Sequence, residues 1–342
     1  MSPDVTLTPF QPFPGRGARP PRPLPESEVF PVPTRIRVGG VALACAVALP
    51  LTSCATGSPT EAETVSDRTS ASCGLFFDDF DYGGPTDPAL RDQGWNVRSW
   101  AGGPGVPGAS WDADNVSFTE EGGDSLLRLT STTDGTPAGT SQAELTFGEE
   151  KFHEGTYAAK VRFADAPVSG EDGDTVLQTF YTITPLAHDN DPDYSELDFE
   201  YLPNSGWGAP AEAMYLTSYH TYQRDPWVAD NTSDVVDRSF EGWRDLVVQV
   251  EGGLVRYYVD THLVAEHDGK YYPSSPMSIN FNQWFVDMSG HTGGPSTYVQ
   301  DVDWVYHQQG ESVAPEEVNR RVGGQRNAGV SRVDGVVPGG AC

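Results

Sequence analysis

Between Leu75 and His307, apolar and polar residues alternate with a period of two, in short runs broken by Gly, Pro, Asn and Asp. Clear runs cover 125–130, 156–163, 176–183, 195–202, 213–220, 246–251, 254–260, 277–282 and 297–307. Alternation rich in Val, Ile, Thr, Tyr and Phe is what a strand with one buried face requires, so the stretch predicts about a dozen strands. No run of helical period interrupts them, which argues against βαβ units and a parallel sheet. The pattern predicts an all-β fold, an antiparallel sandwich or jelly roll. One short helix is predicted over 315–322, and no repeat of solenoid or propeller length is present.

Upstream the pattern changes. Residues 1–34 hold ten of the 28 prolines, with scattered Arg and no periodicity. Such a composition cannot bury enough apolar surface to offset the entropy of ordering. No Met stands between Met1 and Met214, and we expect a translation start near Val29 or Val32. Arg35 and Arg37 precede an apolar run over 38–51, too short to span a bilayer as a helix and right for the core of a signal peptide. Leu51-Thr-Ser-Cys54 follows and resembles a bacterial lipobox, which implies cleavage before Cys54 and its lipidation. The plainer alternative is a secretory signal with an incidental Cys. The expected order is a Pro-rich extension (1–34), a signal peptide (35–53), a polar tether (54–72), a main domain (73–308) and a C-terminal tail (309–342).

Export changes how the cysteines read. Cys45 falls in the signal core and Cys54 at the lipobox, which leaves Cys73 and Cys342. Outside the cytoplasm two such residues are a disulfide candidate, with two separate thiols as the alternative. The expected location is the outer face of a bacterial membrane, held by a lipid, or the medium.

Charge narrows the partners. The chain carries 49 Asp plus Glu against 21 Lys plus Arg, a formal −28. Phosphate-tracking nucleic-acid binders and polybasic membrane contacts need clustered Lys and Arg, so both are excluded. A neutral polysaccharide suits this surface, and a monomer is expected. The sequence also lacks G-x-S-x-G and H-E-x-x-H, against serine-hydrolase and metalloprotease readings.

The chemistry concentrates in residues 194–202, Tyr-Ser-Glu-Leu-Asp-Phe-Glu-Tyr-Leu. A strand directs Glu196, Asp198 and Glu200 to one face and Leu197, Phe199 and Tyr201 to the other. With this many acids, three at that spacing arise about once per chain by chance, and Asp189-x-Asp191-x-Asp193 is a second instance without apolar alternation. The apolar opposite face sets the first apart, because like charges along a strand face repel. The Cα atoms of Glu196 and Glu200 lie ~13 Å apart on an ideal strand, and inward-leaning side chains can bring the carboxyls toward the ~5–5.5 Å of a retaining glycosidase pair. One then serves as nucleophile while the other holds a proton, which neighbouring negative charge favours.

Glu196-Leu-Asp198-Phe-Glu200 resembles the E-x-D-x-E signature of glycoside hydrolase family 16, and the resemblance covers most of 76–308. Ser110–Phe118 with Leu126–Leu129, Ala143-Glu-Leu145, Gly155-Thr-Tyr157, Tyr257-Tyr-Val-Asp260, Met277–Phe285 and Val302–Val305 match further family segments in order. The resemblance implies a concanavalin A-like jelly roll with a concave cleft. It implies Glu196 as nucleophile, Asp198 as assisting carboxylate and Glu200 as general acid/base, with no cofactor in the chemistry. Asn115, Asn282 and Trp284 match cleft positions, and Asp303 matches the residue near a structural Ca²⁺ in the family. The single residue between Asp198 and Glu200 resembles lichenases and the xyloglucan and chitin–glucan transglycosylases. The expected substrate is a β-1,3 or β-1,3/1,4-glucan cleaved internally, with another wall polysaccharide such as a β-galactan as an alternative. Transglycosylation through the same intermediate, and a non-catalytic carbohydrate-binding lipoprotein, remain the other readings.

Departures from the family pattern concern substrate contacts. Tyr194 and Ser195 stand where a Trp or His and then an Asp are common, Thr146 and Phe147 follow Ala-Glu-Leu in place of a basic residue, and Thr261 replaces a turn Gly. Tyr194, Tyr222 and Trp227 are expected to meet sugar, since aromatic side chains offer an apolar face and, in Tyr and Trp, a polar handle; His220 is a structural or a cleft histidine. The acidic loops at Glu171–Asp174 and Asp189–Asp193 offer oxygens to Ca²⁺ without EF-hand spacing.

Overall fold

A computed structural model describes residues 74–339. The leader, Cys54, the tether, Cys73 and Cys342 lie outside the described residues. The alternating segments form two antiparallel sheets. The first runs in spatial order β2 (Trp95–Val97), β6 (Ser141–Phe147), β15 (Ser278–Asp287), β8 (Thr175–Ile183), β9 (Glu196–Leu202), β10 (Ala213–Gln223) and β11 (Val228–Asp237). The second runs β4 (Val116–Glu121), β5 (Asp124–Thr133), β16 (Ser296–Gln309), β7 (Gly155–Phe163), β12 (Gly242–Glu251), β13 (Leu254–Val259) and β14 (His262–Asp268). β1 (Leu75–Asp78) pairs with the end of β16, β17 (Arg332–Asp334) pairs with β1, and the two-residue β3 (Ser110–Trp111) lies parallel to β6. The expected all-β sandwich is present.

The core lies between the sheets. Leu197, Phe199 and Tyr201 of β9 are buried there, as their alternation predicts. Phe199, Phe180 and Phe281 are direct cross-strand neighbours on β9, β8 and β15. Their rings stack at 5.9 and 5.3 Å, and Phe199 also meets Tyr257 of the opposite sheet edge-on at 5.2 Å. Truncating such a ring to Ala costs about 3–5 kcal/mol through lost transfer energy and a residual cavity. This ladder lies directly beneath the three acids of β9 and sets their height and register.

Two α-helices occur among the described residues. The five-residue α1 (Pro88–Asp92) is capped by the Asp87 carboxylate, which accepts from the Ala89 N–H at 2.9 Å. The second, α2 (Pro315–Asn327), covers the outer face of the second sheet with Val318 and Val322 against Trp304, Tyr306 and Val247. Pro315 and two Glu in its first turn suit a helix start. It outruns the predicted 315–322 because it continues through Gly323 and Gly324, poor helix formers that hide its length in the sequence. Gly329, at φ 69°, closes it, with the Val330 N–H bonded to the Gln325 carbonyl at 3.0 Å.

The segment after Gln309 is integral to this sandwich. Arg332 reaches the buried Asp78 carboxylate at 3.2 Å, and Asp334 pairs with Lys151 at 2.8 Å. The Gly74 and Gly335 backbones are hydrogen-bonded to each other's neighbourhood, Gly74 N to Gly335 O at 2.9 Å and Gly335 N to Leu75 O at 2.7 Å. The strand reading passed over β11, whose Asp-, Asn- and Ser-rich run is half-exposed along its length. An edge strand carries no fully buried face and so writes little periodicity.

Candidate active site

β9 sits near the middle of the first sheet, flanked by β8 and β10. Its outward face carries Glu196, Asp198 and Glu200 along the floor of a groove of about 1450 Å³. Register fills in the rows around them. Ile183 and Tyr219 flank Glu196, Tyr181 and Thr217 flank Asp198, and Thr179 and Tyr215 flank Glu200. A bulge at His220 shifts β10 by one residue against β11; His220 is half-buried and is not among the groove-lining residues.

The three acids differ in their surroundings. Glu196 and Glu200 are half-buried, whereas Asp198 is 3% exposed. The Tyr194 hydroxyl donates to Glu196 Oε2, and Thr217 Oγ1 donates to Glu200 Oε2 at 2.9 Å. Asp198 Oδ2 is buried with no hydrogen-bond partner among the described residues. Burial raises all three ionisations above the usual carboxylate range. For Glu196 the Tyr194 hydrogen bond opposes that rise. For Asp198, whose ionisation lies well above its ordinary value, the charges of Glu196 and Glu200 add to the effect of burial. For Glu200 the Thr217 hydrogen bond opposes and the Glu196 charge adds. Each charge along this strand face makes the next ionisation less favourable, so the three carboxyls titrate together and not as independent groups.

Aromatic side chains stand on both sides of the acids. Near Glu200 are Tyr215, Trp284 and Trp207, with Trp207 5.5 Å from Tyr215 and 6.3 Å from Trp284 between ring centroids. Trp207 adopts φ 48°, a left-handed conformation that bulky residues rarely take; it cannot be read from strand periodicity. Near Glu196 are Tyr194, Tyr222 and Trp227, the last 41% exposed.

A second charged group borders the groove. Arg98 and Glu144, both buried, pair at 3.1 Å, and the Arg98 guanidinium lies 4.1 Å from the Trp111 ring centroid. Asn282 Nδ2 donates to Glu144 Oε2 at 3.3 Å, while Asn282 Oδ1 accepts from Thr179 at 2.6 Å. Sequence reading passed over Arg98, which stands 46 residues before Glu144 and meets it only because β2 and β6 pair.

Of the expected sugar contacts, Tyr194, Tyr222, Trp227, Asn282 and Trp284 line the groove. Asn115 does not. Its Nδ2 donates to Ser141 Oγ at 2.6 Å and the Gln142 carbonyl at 3.0 Å, bracing a corner against β6. Asp303 does not fit a calcium ion either. Its carboxylate lies 3.0 Å from Lys160 Nζ and 2.6 Å from Arg326 Nη2, so two cations already neutralise it. The acidic loops are similarly engaged, Asp191 by the Ala187 and Asp193 N–H groups and Asp174 by His291. Among the described residues no group of three or more His, Cys, Asp or Glu is arranged to hold a metal.

No family model and no curated relative matches the chain. Solved structures do. A Bacillus licheniformis β-glucanase is 18% identical with a TM-score of 0.50, over 69% of this chain and 98% of its own. A prokaryotic β-1,3-1,4-glucanase (lichenase) from a mouse hindgut metagenome is 21% identical with a TM-score of 0.50, over 68% and 98%. A glycoside hydrolase family 16 endo-glucanase from Bacteroides ovatus, solved with G4G3G-2F-DNP, is 16% identical with a TM-score of 0.51, over 67% and 98%. At this distance in sequence the likeness establishes architecture: the chain has the antiparallel jelly-roll fold of these glucanases.

Proposed function

We propose that the protein is a retaining endo-glycosidase of glycoside hydrolase family 16 that cleaves β-glucosidic bonds in a neutral polysaccharide. One observation carries the reading: three carboxyls on a single strand face, at the floor of a groove with aromatic side chains on either side. The order of the aromatic and acidic groups suits an extended sugar chain crossing the strands, with its scissile bond over Glu196 and Glu200. The glucanases with the same fold support β-glucan as the substrate class.

In the first displacement the Glu196 carboxylate attacks the anomeric carbon. The bond from that carbon to the leaving sugar oxygen breaks, and the Glu200 proton passes to that oxygen. In the second, water attacks the same carbon, Glu200 takes a proton from it, and the ester bond to Glu196 breaks to return the carboxylate. Two inversions give retention. Burial and the charges of its two neighbours favour the protonated form of Asp198, and in that form it can donate a hydrogen bond to whichever glutamate carries charge. The sequence reading of residues 35–54 adds an anchor at Cys54 and action outside the cytoplasm to this proposal.

The test is hydrolysis by soluble protein beginning at Ala55, beside Glu196→Gln, on β-1,3-, mixed-linkage and galactan substrates. New reducing ends from wild type alone support the reading and name the linkage. Longer products without new ends move it to transglycosylation. Binding without turnover in either protein overturns it in favour of a carbohydrate-binding module.

A further inference from the structure

Tyr194 behaves unlike a sugar platform. It is 1% exposed, which leaves no ring face on which a sugar can stack. Its hydroxyl donates to Glu196 Oε2, and its ring is held edge-on by Tyr222 at 5.2 Å, which in turn lies 4.8 Å from Trp227. The backbone that delivers it is braced by the acidic loop that fits no metal. Asp191 accepts from the Ala187 and Asp193 N–H groups at 3.0 Å each, and Asp189 holds Arg224 at 2.8 Å, tying the loop to the turn that carries Tyr222 and Trp227. The Asn190 N–H closes the same tie on the Tyr222 carbonyl at 2.9 Å.

We propose that Tyr194 is a positioning residue: its buried hydroxyl fixes one oxygen of the Glu196 carboxylate so that the other faces the anomeric carbon. This rests on the reaction proposed above. The terminal torsion of a Glu side chain is broad and roughly two-fold, so an unheld carboxylate spends much of its time misaligned. A donor on Oε2 selects one orientation and also favours the charged form, because a hydrogen bond to the anion lowers its proton affinity. The other titratable or charged groups lining the groove with Glu196 are Asp198 and Glu200 on its own strand, Tyr181 on β8, Tyr215, Tyr219 and Tyr222 on β10, Tyr271, and three cations with their ion-pair partners: Arg98 with Glu144, Arg224 with Asp189, and Lys270 with Asp230. Among the described hydrogen bonds, the one to the Glu196 carboxylate comes from Tyr194. A Trp or His, common at this position in the resembled family, would bring a different donor in a different place.

The experiment compares the pH profile of kcat/KM for wild type and Tyr194→Phe on the substrate found by the panel, with Glu196→Gln alongside. Loss of the donor raises the Glu196 ionisation, so the acid limb moves to higher pH by about one unit or more. KM stays within about twofold and kcat falls below the limb. An acid limb that does not move, with KM raised, makes Tyr194 a sugar contact and overturns the proposal while leaving the reaction intact. A wild type that hydrolyses nothing, or a Glu196→Gln that retains activity, overturns the reaction itself and Tyr194's role with it. Should the Phe variant not fold, proton NMR on wild type and Glu196→Gln reads the same contact. A hydroxyl proton downfield of the amides in wild type, moved upfield by Glu196→Gln, supports it, and no such proton overturns it.

Discussion

Glu200→Gln tests the electrostatic account of the groove through stability, independently of catalysis. The amide keeps the shape of the side chain and removes its ionisation. In the folded protein burial pushes the Glu200 ionisation from 4.5 up to about 8. At low pH the carboxyl is protonated folded and unfolded, and the substitution is close to neutral. As pH rises past 4.5 the unfolded side chain ionises while the folded one keeps its proton, so wild type loses stability until about pH 8. For an isolated group that span amounts to about 5 kcal/mol. Asp198 and Glu196 share protons with Glu200 and absorb part of it, leaving roughly 2–3 kcal/mol for this residue. Losing the Thr217 bond geometry offsets little, since the amide oxygen still accepts. We expect Glu200→Gln to unfold roughly 5–10 °C above wild type at pH 8 and within about 1 °C of it at pH 4.5, by calorimetry at matched ionic strength. A gain that is absent, or equal at both pH values, would show that Glu200 ionises normally in the fold and would remove the basis for its role as an acid.

Other consequences follow from the same geometry. The kcat/KM profile rises as Glu196 ionises and falls as Glu200 loses its proton, so the optimum lies between about 7 and about 8 instead of in the ordinary carboxylate range; an optimum near pH 4.5 would contradict it. Trp227→Ala removes an exposed ring at the groove edge, and we expect KM to rise roughly tenfold with kcat little changed, read on a long and a short oligosaccharide. Arg98→Met leaves the buried Glu144 carboxylate without its cation and lowers stability by about 3–5 kcal/mol in urea unfolding. Ending the chain at Gly310 uncovers Trp304, Tyr306 and Val247 and removes Arg332 and Asp334, which pair with Asp78 and Lys151; we expect insoluble protein, and a soluble cooperative folder would refute the structural role given to the tail.

The chain's local pattern determined a good deal. Period-two runs such as 176–183 and 195–202 became β8 and β9 because each strand buries one full face against the opposite sheet, and that burial is written directly in alternating residues. The same alternation put Glu196, Asp198 and Glu200 on one face without any knowledge of partners. Where burial is partial the pattern fades: β11, half-exposed throughout, and α2 beyond Gly323 left little trace. What only the tertiary structure decided depends on residues far apart in sequence. Asn115 turned to brace β6, Asp303 met Lys160 and Arg326, and Arg98 found Glu144 through strand pairing. Tyr194 carries an ordinary aromatic side chain in the sequence; its burial against Tyr222 and its bond to Glu196 arise from where β9 and β10 set the loops at their ends. Secondary structure follows from a residue's own neighbours, whereas the partner of a polar group is chosen by the chain topology that carries it there.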